Sequence, residues 1–335
     1  MTDGSGDDSR PRVLITRPIP VQLVRRLEAL ALLTLRLGPE APSENELIEL
    51  LPGHELCISM LTDPLGERVL QAAAAHPQHP LQLISQVAVG LDNVDLRAAA
   101  SCGIQVSHTP GVLTDATADL TFALILASCR RIVEADRFVR DGQWRRWSLD
   151  LMTGVQLRGS RLGIIGLGRI GTAVARRALP FGMEIVYTGR RRAAPQLQQE
   201  LSATFLPLDE LLATSDVVAL HAPLTPETRG LLGRKELMSM REGAVLVNTS
   251  RGALLDEEAI AEALEHGPLR AVGLDVYADE PRVHPSLLQR SDVVLLPHIG
   301  SATEATRLRM ATMATEAAEA WLNSSPVPHL ARIDG

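Results

Sequence analysis

Cysteine and aromatic residues are scarce in this 335-residue chain, which holds three cysteines, three tryptophans, two tyrosines and four phenylalanines. Cys57, Cys102 and Cys129 are scattered, odd in number and form no C-x-x-C pair, which argues against a disulfide framework. They read as buried thiols of a reducing compartment, and the chain as cytoplasmic. Long basic runs are absent and the formal net charge is −7, so neither nucleic acid nor an anionic membrane surface is the expected partner. No apolar run reaches membrane-spanning length. The opening MTDGSGDDSR lacks the apolar core of a signal peptide and reads as a disordered lead-in. What the chain does have is 45% hydrophobic residues over a length that suits two domains, each with its own core.

Short apolar runs alternate with amphipathic stretches: VLI at Val13, LTLRL at Leu33, LCISML at Leu56 and LQLISQV at Leu81. This rhythm predicts a parallel α/β unit. The stretch TDATADLTFALILASCRRIVEADRFV from Thr114, with Thr114 or Asp115 as cap, predicts one long helix joining two domains. A second series follows, SRLGIIG, MEIVYTG, DVVAL, AVLVNTS, RAVGLDV and DVVLLP, and predicts a second doubly wound parallel sheet. Residues 302–322 read as a closing helix that returns to the first domain.

The motif GLGRIG at residues 166–171 follows the run RLGII and opens a stretch without breakers until Pro180. A dinucleotide site requires a tight turn at Gly166, close backbone approach to a pyrophosphate at Gly168 and close helix-to-strand packing at Gly171, with the helix N-terminus facing the phosphates. Strand before and helix after separate this from an ordinary turn. The next strand, MEIVYTG, ends at Thr188 and Gly189, where NAD sites place an acid for the ribose 2′-hydroxyl. Here Arg190, Arg191 and Arg192 follow instead. A carboxylate repels a 2′-phosphate, whereas guanidinium groups bind one through charge-assisted hydrogen bonds. NADPH is therefore the expected cofactor, with NADH used less efficiently, and Arg190 then Arg191 are the expected contacts. The competing reading is a solvated basic helix start, which the helix dipole does not favour.

Titratable residues stand just past later strand-like runs: Arg251 after AVLVNTS, Glu280 shortly after AVGLDVY, and His298 after DVVLLP. Open α/β sheets bind ligands at the carboxyl ends of their strands. Together the three suit reduction of a 2-oxo acid, with Arg251 binding the carboxylate and polarising the carbonyl, His298 donating a proton and Glu280 holding the imidazole. Singly, each has a bland reading, since Arg-Gly after a strand is often a turn and Glu-Pro often ends a loop.

In order along nearly the whole chain, VAVGLDNVD at Val87, HTPGVLTDATADL at His108, GIIGLGRIG at Gly163, YTGR at Tyr187, LTPETRGLL at Leu224, NTSRGALLD at Asn248, GLDVYADEP at Gly273 and LPHIGSAT around His298 resemble the D-2-hydroxyacid dehydrogenase family, most closely its glyoxylate and hydroxypyruvate reductases. The resemblance implies Arg251, Glu280 and His298 as catalytic residues. It also places Gly166, Gly168, Arg169, Ile170 and Gly171 on the pyrophosphate, and Gly189, Arg190 and Arg191 at the adenosine ribose. His221, Pro223, Thr228 and Thr249 would line the cofactor, and Asp275 would lie near the nicotinamide amide. Val89 and Gly90 would bind the substrate carboxylate through backbone N–H groups, with Leu61 lining the pocket and Ser301 near the substrate. The implied fold is a Rossmann-type coenzyme domain, residues 111–299, inserted in a flavodoxin-like substrate domain, residues 1–110 and 300–335.

Small unphosphorylated 2-oxo acids, glyoxylate and hydroxypyruvate first and other short ones behind them, are the substrates this resemblance implies. A nicotinamide-sensing corepressor of the same fold is the alternative from another class. No metal is implied, because His221 has no second His or Cys at ligand spacing, and His76 and His79 read as surface loop. Trp144 and Trp147 lie in the polar segment DGQWRRWSLD, residues 141–150, and need a surface to bury against. Either they pack on their own domain, or the chain is a homodimer in which Trp147 covers the partner's substrate site.

Overall fold

The computed structural model describes residues 10–38 and 40–332, so the expected polar lead-in at residues 1–9 lies outside the described residues. Two compact units divide the chain, the first running to Leu113 and resuming at Thr303, the second spanning Thr114–Ala302. The unit changes at the starts of two helices, Thr114–Cys129 and Glu304–Leu322.

The first unit contains strands β1 (Arg12–Ile15), β2 (Leu32–Leu35), β3 (Leu56–Ser59), β4 (Leu83–Gln86) and β5 (Gln105–Ser107). All pair in parallel in the order β2-β1-β3-β4-β5, a flavodoxin-like arrangement. Successive strand residues point to opposite faces. Thus Leu14, Cys57 and Ile84 join one buried cluster with Leu47, Leu51 and Leu70, while Val13, Ile15, Leu56, Ile58 and Leu83 join another with Leu27 and Ala318. Burial on both faces is why these strands read as continuous apolar runs. The helix Glu304–Leu322, capped by the Thr303 hydroxyl on Thr306 N–H, covers one face. Its Ala314 carbonyl accepts a hydrogen bond from Ser85 Oγ at 2.8 Å.

The second unit contains β6 (Arg161–Ile165), β7 (Glu184–Thr188), β8 (Thr204–Phe205), β9 (Val217–Leu220), β10 (Ala244–Asn248), β11 (Leu269–Leu274) and β12 (Val293–Leu295). These too are all parallel, in the order β12-β11-β10-β9-β6-β7-β8. From β6 the chain moves outward through β7 and β8, then returns to β9 on the other side of β6. The reversal between β6 and β9 is the topological switch point, beside which doubly wound folds bind nucleotides.

Two strands differ from the periodicity. β5 and β8 end their sheets, and their short, half-polar sequences carry no apolar run, as suits edges that must not recruit further strands. The long helix from Thr114 is two helices, Thr114–Cys129 and Ile132–Arg140. Between them Arg131 takes a left-handed φ of 55°, and its guanidinium grips Glu134 through two 2.7 Å hydrogen bonds. The first helix buries Phe122, Leu124 and Ile125 against the sheet, whereas the second buries no residue. Among the described residues no helix is long and apolar enough to cross a membrane.

Candidate active site

The glycine motif follows β6 at the switch point, and each glycine has its own physical reason. Gly166 has φ 101°, and a Cβ there would lie 2.7 Å from Ala222 N in the loop after β9. At Gly171 a Cβ would lie 2.3 Å from Gly166 O, so the helix Arg169–Ala178 can approach its strand only through glycine. A Cβ at Gly168 would meet no protein atom within 4 Å. Packing within the chain does not demand that glycine, which leaves approach by a ligand as its reason. Gly168 is also the N-cap of the helix and provides no side-chain cap, so the first N–H groups face outward beside exposed Arg169 and half-buried Ile170. The His221 Nε2 is buried without a hydrogen-bond partner, and burial pushes this imidazole down to about 4, so the ring is neutral at physiological pH. Such a cradle, a helix N-terminus without a side-chain cap and with no protein atom within 4 Å of where a Cβ at Gly168 would stand, fits a dinucleotide pyrophosphate.

The arginine segment adjoins this cradle directly. Gly166 N–H donates to Thr188 O at 2.9 Å, joining the glycine loop to the end of β7. The far end of the segment is tied down by Ala193 N–H donating to the buried Tyr187 hydroxyl at 2.9 Å. Arg192 stacks over Phe205, 4.6 Å from its ring centroid, and is thereby engaged. Gly189, Arg190 and Arg191 form the exposed apex between these anchors. The positive charge of Arg190 reaches Glu227, whose carboxyl is held below its ordinary range mainly by the Thr225 hydroxyl and to a lesser degree by Arg190. Thr228 closes the turn bearing Glu227, its hydroxyl donating to the carbonyl of exposed Pro223 at 2.7 Å. Thr249 is buried, its hydroxyl paired with that of Thr121 at 2.7 Å.

Arg251, Glu280 and His298 emerge from the carboxyl ends of β10, β11 and β12, which are neighbours in the sheet. His298 Nδ1 and Glu280 Oε2 are 2.7 Å apart, with the two side chains 26% and 21% exposed, so the pair is sheltered yet reachable. A carboxylate accepting from Nδ1–H leaves Nε2 as the nitrogen that can present a proton outward. His298 itself has φ 53°, a left-handed conformation that costs a non-glycine residue about 1–3 kcal/mol. Asp275 holds it there. This fully buried carboxylate accepts N–H bonds from Ile299 at 2.7 Å and Gly300 at 2.8 Å, immediately after His298. Burial pushes the Asp275 carboxyl up, while those N–H groups and His298 oppose the rise. Each Asp275 oxygen thus accepts one backbone N–H from the segment that follows His298. The half-buried Ser301 follows Gly300.

Sequence reasoning passed over Asn248, the last residue of β10. Its side chain donates to Arg251 O at 2.8 Å and accepts from Ser250 N–H at 2.9 Å, curling the strand end so that Arg251 leaves it at a set angle. Its signal was its type, since Asn at a strand end often bonds to nearby backbone. In the first unit, Leu61 follows β3, and Val89 and Gly90 follow β4. Val89 O is 3.0 Å from His108 Nδ1, and Gly90 O accepts from Gln86 Nε2 at 3.2 Å. Because C=O and N–H of one trans peptide point oppositely, the first contact turns Gly90 N–H away from His108. Trp144 and Trp147 are 57% and 74% exposed, so most of the surface of each is left uncovered. Among the described residues no group of three or more His, Cys, Asp or Glu has the geometry to hold a metal ion.

Residues 122–300 match the family model described as D-isomer specific 2-hydroxyacid dehydrogenase, NAD binding domain. The chain belongs to that family. It is 42% identical over 329 residues to a glyoxylate reductase of Thermococcus litoralis, covering 97% of this chain and 98% of the relative. Among solved structures, a glyoxylate reductase from Paecilomyes thermophila is similar at 32% identity and a TM-score of 0.85, covering 96% of this chain and 98% of that one. An NADPH-dependent glyoxylate/hydroxypyruvate reductase from Sinorhizobium meliloti, in complex with NADP and malonate, is similar at 30% identity and a TM-score of 0.84, covering 96% and 97%. As a member of the D-2-hydroxyacid dehydrogenase family this chain is an oxidoreductase, with a Rossmann-type NAD-binding domain in its second unit.

Replacing Asp275 tests the clamp without any assay of turnover. Asp275→Asn keeps the volume but sets an NH2 group against one of two backbone donors, leaving a buried N–H unpaired. Urea unfolding of the variant is expected to lose about 1–3 kcal/mol, and an unchanged midpoint and slope would show that the Ile299 and Gly300 N–H groups do not depend on this carboxylate.

Proposed function

We propose that the protein is an NADPH-dependent reductase of short 2-oxo acids, glyoxylate and hydroxypyruvate foremost, giving glycolate and D-glycerate. The observation that carries the reading is the His298–Glu280 pair at 2.7 Å, on the same sheet edge as the glycine cradle and beside the strand that delivers Arg251. The names of the similar glyoxylate reductases support the substrate class.

A bound reduced nicotinamide dinucleotide supplies the hydride. Gly166, Gly168 and Gly171, with the N–H groups from Arg169 and Ile170 onward, hold its pyrophosphate, while His221, Pro223, Thr228 and Thr249 shape the loops around it. The Arg251 guanidinium binds the substrate carboxylate and draws charge onto the carbonyl oxygen. Ser301 borders the substrate. As the carbonyl carbon accepts hydride, the His298 Nε2 proton passes to the developing alkoxide, and the Glu280 carboxylate keeps the ring aligned through Nδ1. The exposed guanidinium groups of Arg190 and Arg191 bind the 2′-phosphate.

Consumption of NADPH and NADH with a panel of 2-oxo acids tests this directly. NADPH is expected to be favoured by at least about tenfold in kcat/KM, equivalent to roughly 1.4 kcal/mol, and Arg190→Ala is expected to erase most of that preference. Equal use of both cofactors, or a ratio unchanged by the substitution, would assign the arginines to a solvated face.

We further propose a homodimer formed over the apolar surface that the second unit leaves uncovered. Ile132 is 51% exposed, Val139 53%, Trp144 57%, Trp147 74% and Leu149 86%. So many large apolar side chains in one stretch mark an interaction face. Trp147 reaches the partner's substrate site. Mixing Trp147→Ala subunits with His298→Ala subunits is therefore expected to restore activity above either parent, since one site per mixed dimer keeps both side chains. A monomer by light scattering, or no recovery despite proven subunit exchange, would rule this arrangement out.

A further inference from the structure

Tyr277 touches the loops of Arg251, Glu280 and His298 together, each through a different group. Its side chain is buried, with 7% of the residue exposed. The hydroxyl donates to Leu296 O at 2.8 Å. The backbone N–H donates to Glu280 Oε1 at 3.1 Å, which leaves Oε2 for His298. The backbone carbonyl packs on Gly252, where a Cβ would lie 1.8 Å from Tyr277 C and 2.2 Å from its O, so the residue after Arg251 must be glycine for the loops to meet.

We infer that Tyr277 is a positioning residue that binds the Arg251, Glu280 and His298 loops into one rigid assembly. The inference rests on the proposed reading of those residues as the catalytic site. The hydroxyl is the informative group, because phenylalanine would fill the same volume without the cost of burying a polar oxygen. That cost is met by the bond to Leu296 O, and the placement of this carbonyl matters for His298. It belongs to the peptide bond joining Leu296 to Pro297. Proline fixes its own φ and restricts the residue before it, so anchoring this carbonyl sets the plane from which the chain enters His298. Burial, with the Asp275 charge adding to it, pushes the Tyr277 phenol well above its ordinary value, so the hydroxyl remains a donor throughout the working range. Asp275 fixes the backbone after His298 and Tyr277 fixes it before.

Tyr277→Phe separates this role from simple packing. The expected result is a kcat lowered about tenfold, with KM and the Kd for NADPH within about twofold of wild type and little change in Tm. In combination with Glu280→Gln, which removes the carboxylate that the placement of His298 serves, the further loss from Tyr277→Phe is expected to shrink, whereas independent defects would multiply. A second readout needs no substrate: the downfield proton resonance of His298 Nδ1, assigned by its disappearance in His298→Ala, is expected to broaden or move upfield in Tyr277→Phe. Wild-type kcat with an unchanged resonance, or fully multiplicative losses in the double variant, would overturn the inference. If wild type reduces no 2-oxo acid, the proposed function fails and the resonance alone decides the role of Tyr277.

Discussion

A buried carboxylate sets the geometry on which the candidate active site depends. Asp275 is wholly removed from solvent and spends both oxygens on consecutive backbone N–H groups, those of Ile299 and Gly300. Hydrogen bonds to a charged group are worth about 1.5–3 kcal/mol each. Two of them outweigh the left-handed conformation of His298, about 1–3 kcal/mol. The strain is thus stable, and it presents the imidazole to Glu280 where an ordinary strand exit would carry it onward. Asp275 reaches this position because its own N–H donates to Asn248 O at 3.0 Å, extending the β10–β11 ladder by one step. The same Asn248 curls the backbone under Arg251. Strand pairing, a buried charge and a strained histidine therefore form one continuous structure.

The dinucleotide cradle is built by different means, through omission. Gly166 and Gly171 are glycines because neighbouring backbone occupies the space of a side chain, and Gly168 because nothing in the chain does. The adjoining arginine segment is held at both ends, by Thr188 O and by the Tyr187 hydroxyl, so its apex presents two guanidinium groups at modest entropic cost. Rigid flanks with a charged, exposed tip suit discrimination between cofactors that differ by one phosphate.

Much of this was legible in the sequence because the responsible features are local. Alternation of apolar runs with amphipathic stretches gave both parallel sheets, and the GLGRIG motif located the switch point before any topology was known. Arg251, Glu280 and His298 could be singled out because each follows an apolar run that proved to be a strand of the seven-stranded sheet. What escaped was non-local or carried by polar atoms in unexpected service. β5 and β8 lie at sheet edges where hydrophobic burial does not dictate sequence. The break at Arg131 is a left-handed turn without glycine, held by Glu134, and no periodicity encodes it. Asn248 acts on Ser250 and Arg251 close by, with its residue type as the one signal, whereas the Tyr277 hydroxyl acts on Leu296 O, 19 residues along the chain, which its residue type alone did not reveal. The exposure of Trp144 and Trp147 was likewise a question of what the chain lacks around them, which composition does not answer.

The proposed function turns on His298 as the proton donor, presented by Glu280 from a backbone fixed by Asp275. The most direct test is the turnover of His298→Ala with NADPH and glyoxylate, alongside NADPH binding followed by nucleotide fluorescence. The predicted result is a kcat lowered by about a hundredfold or more with the Kd for NADPH nearly unchanged; near-normal turnover without the imidazole would contradict it.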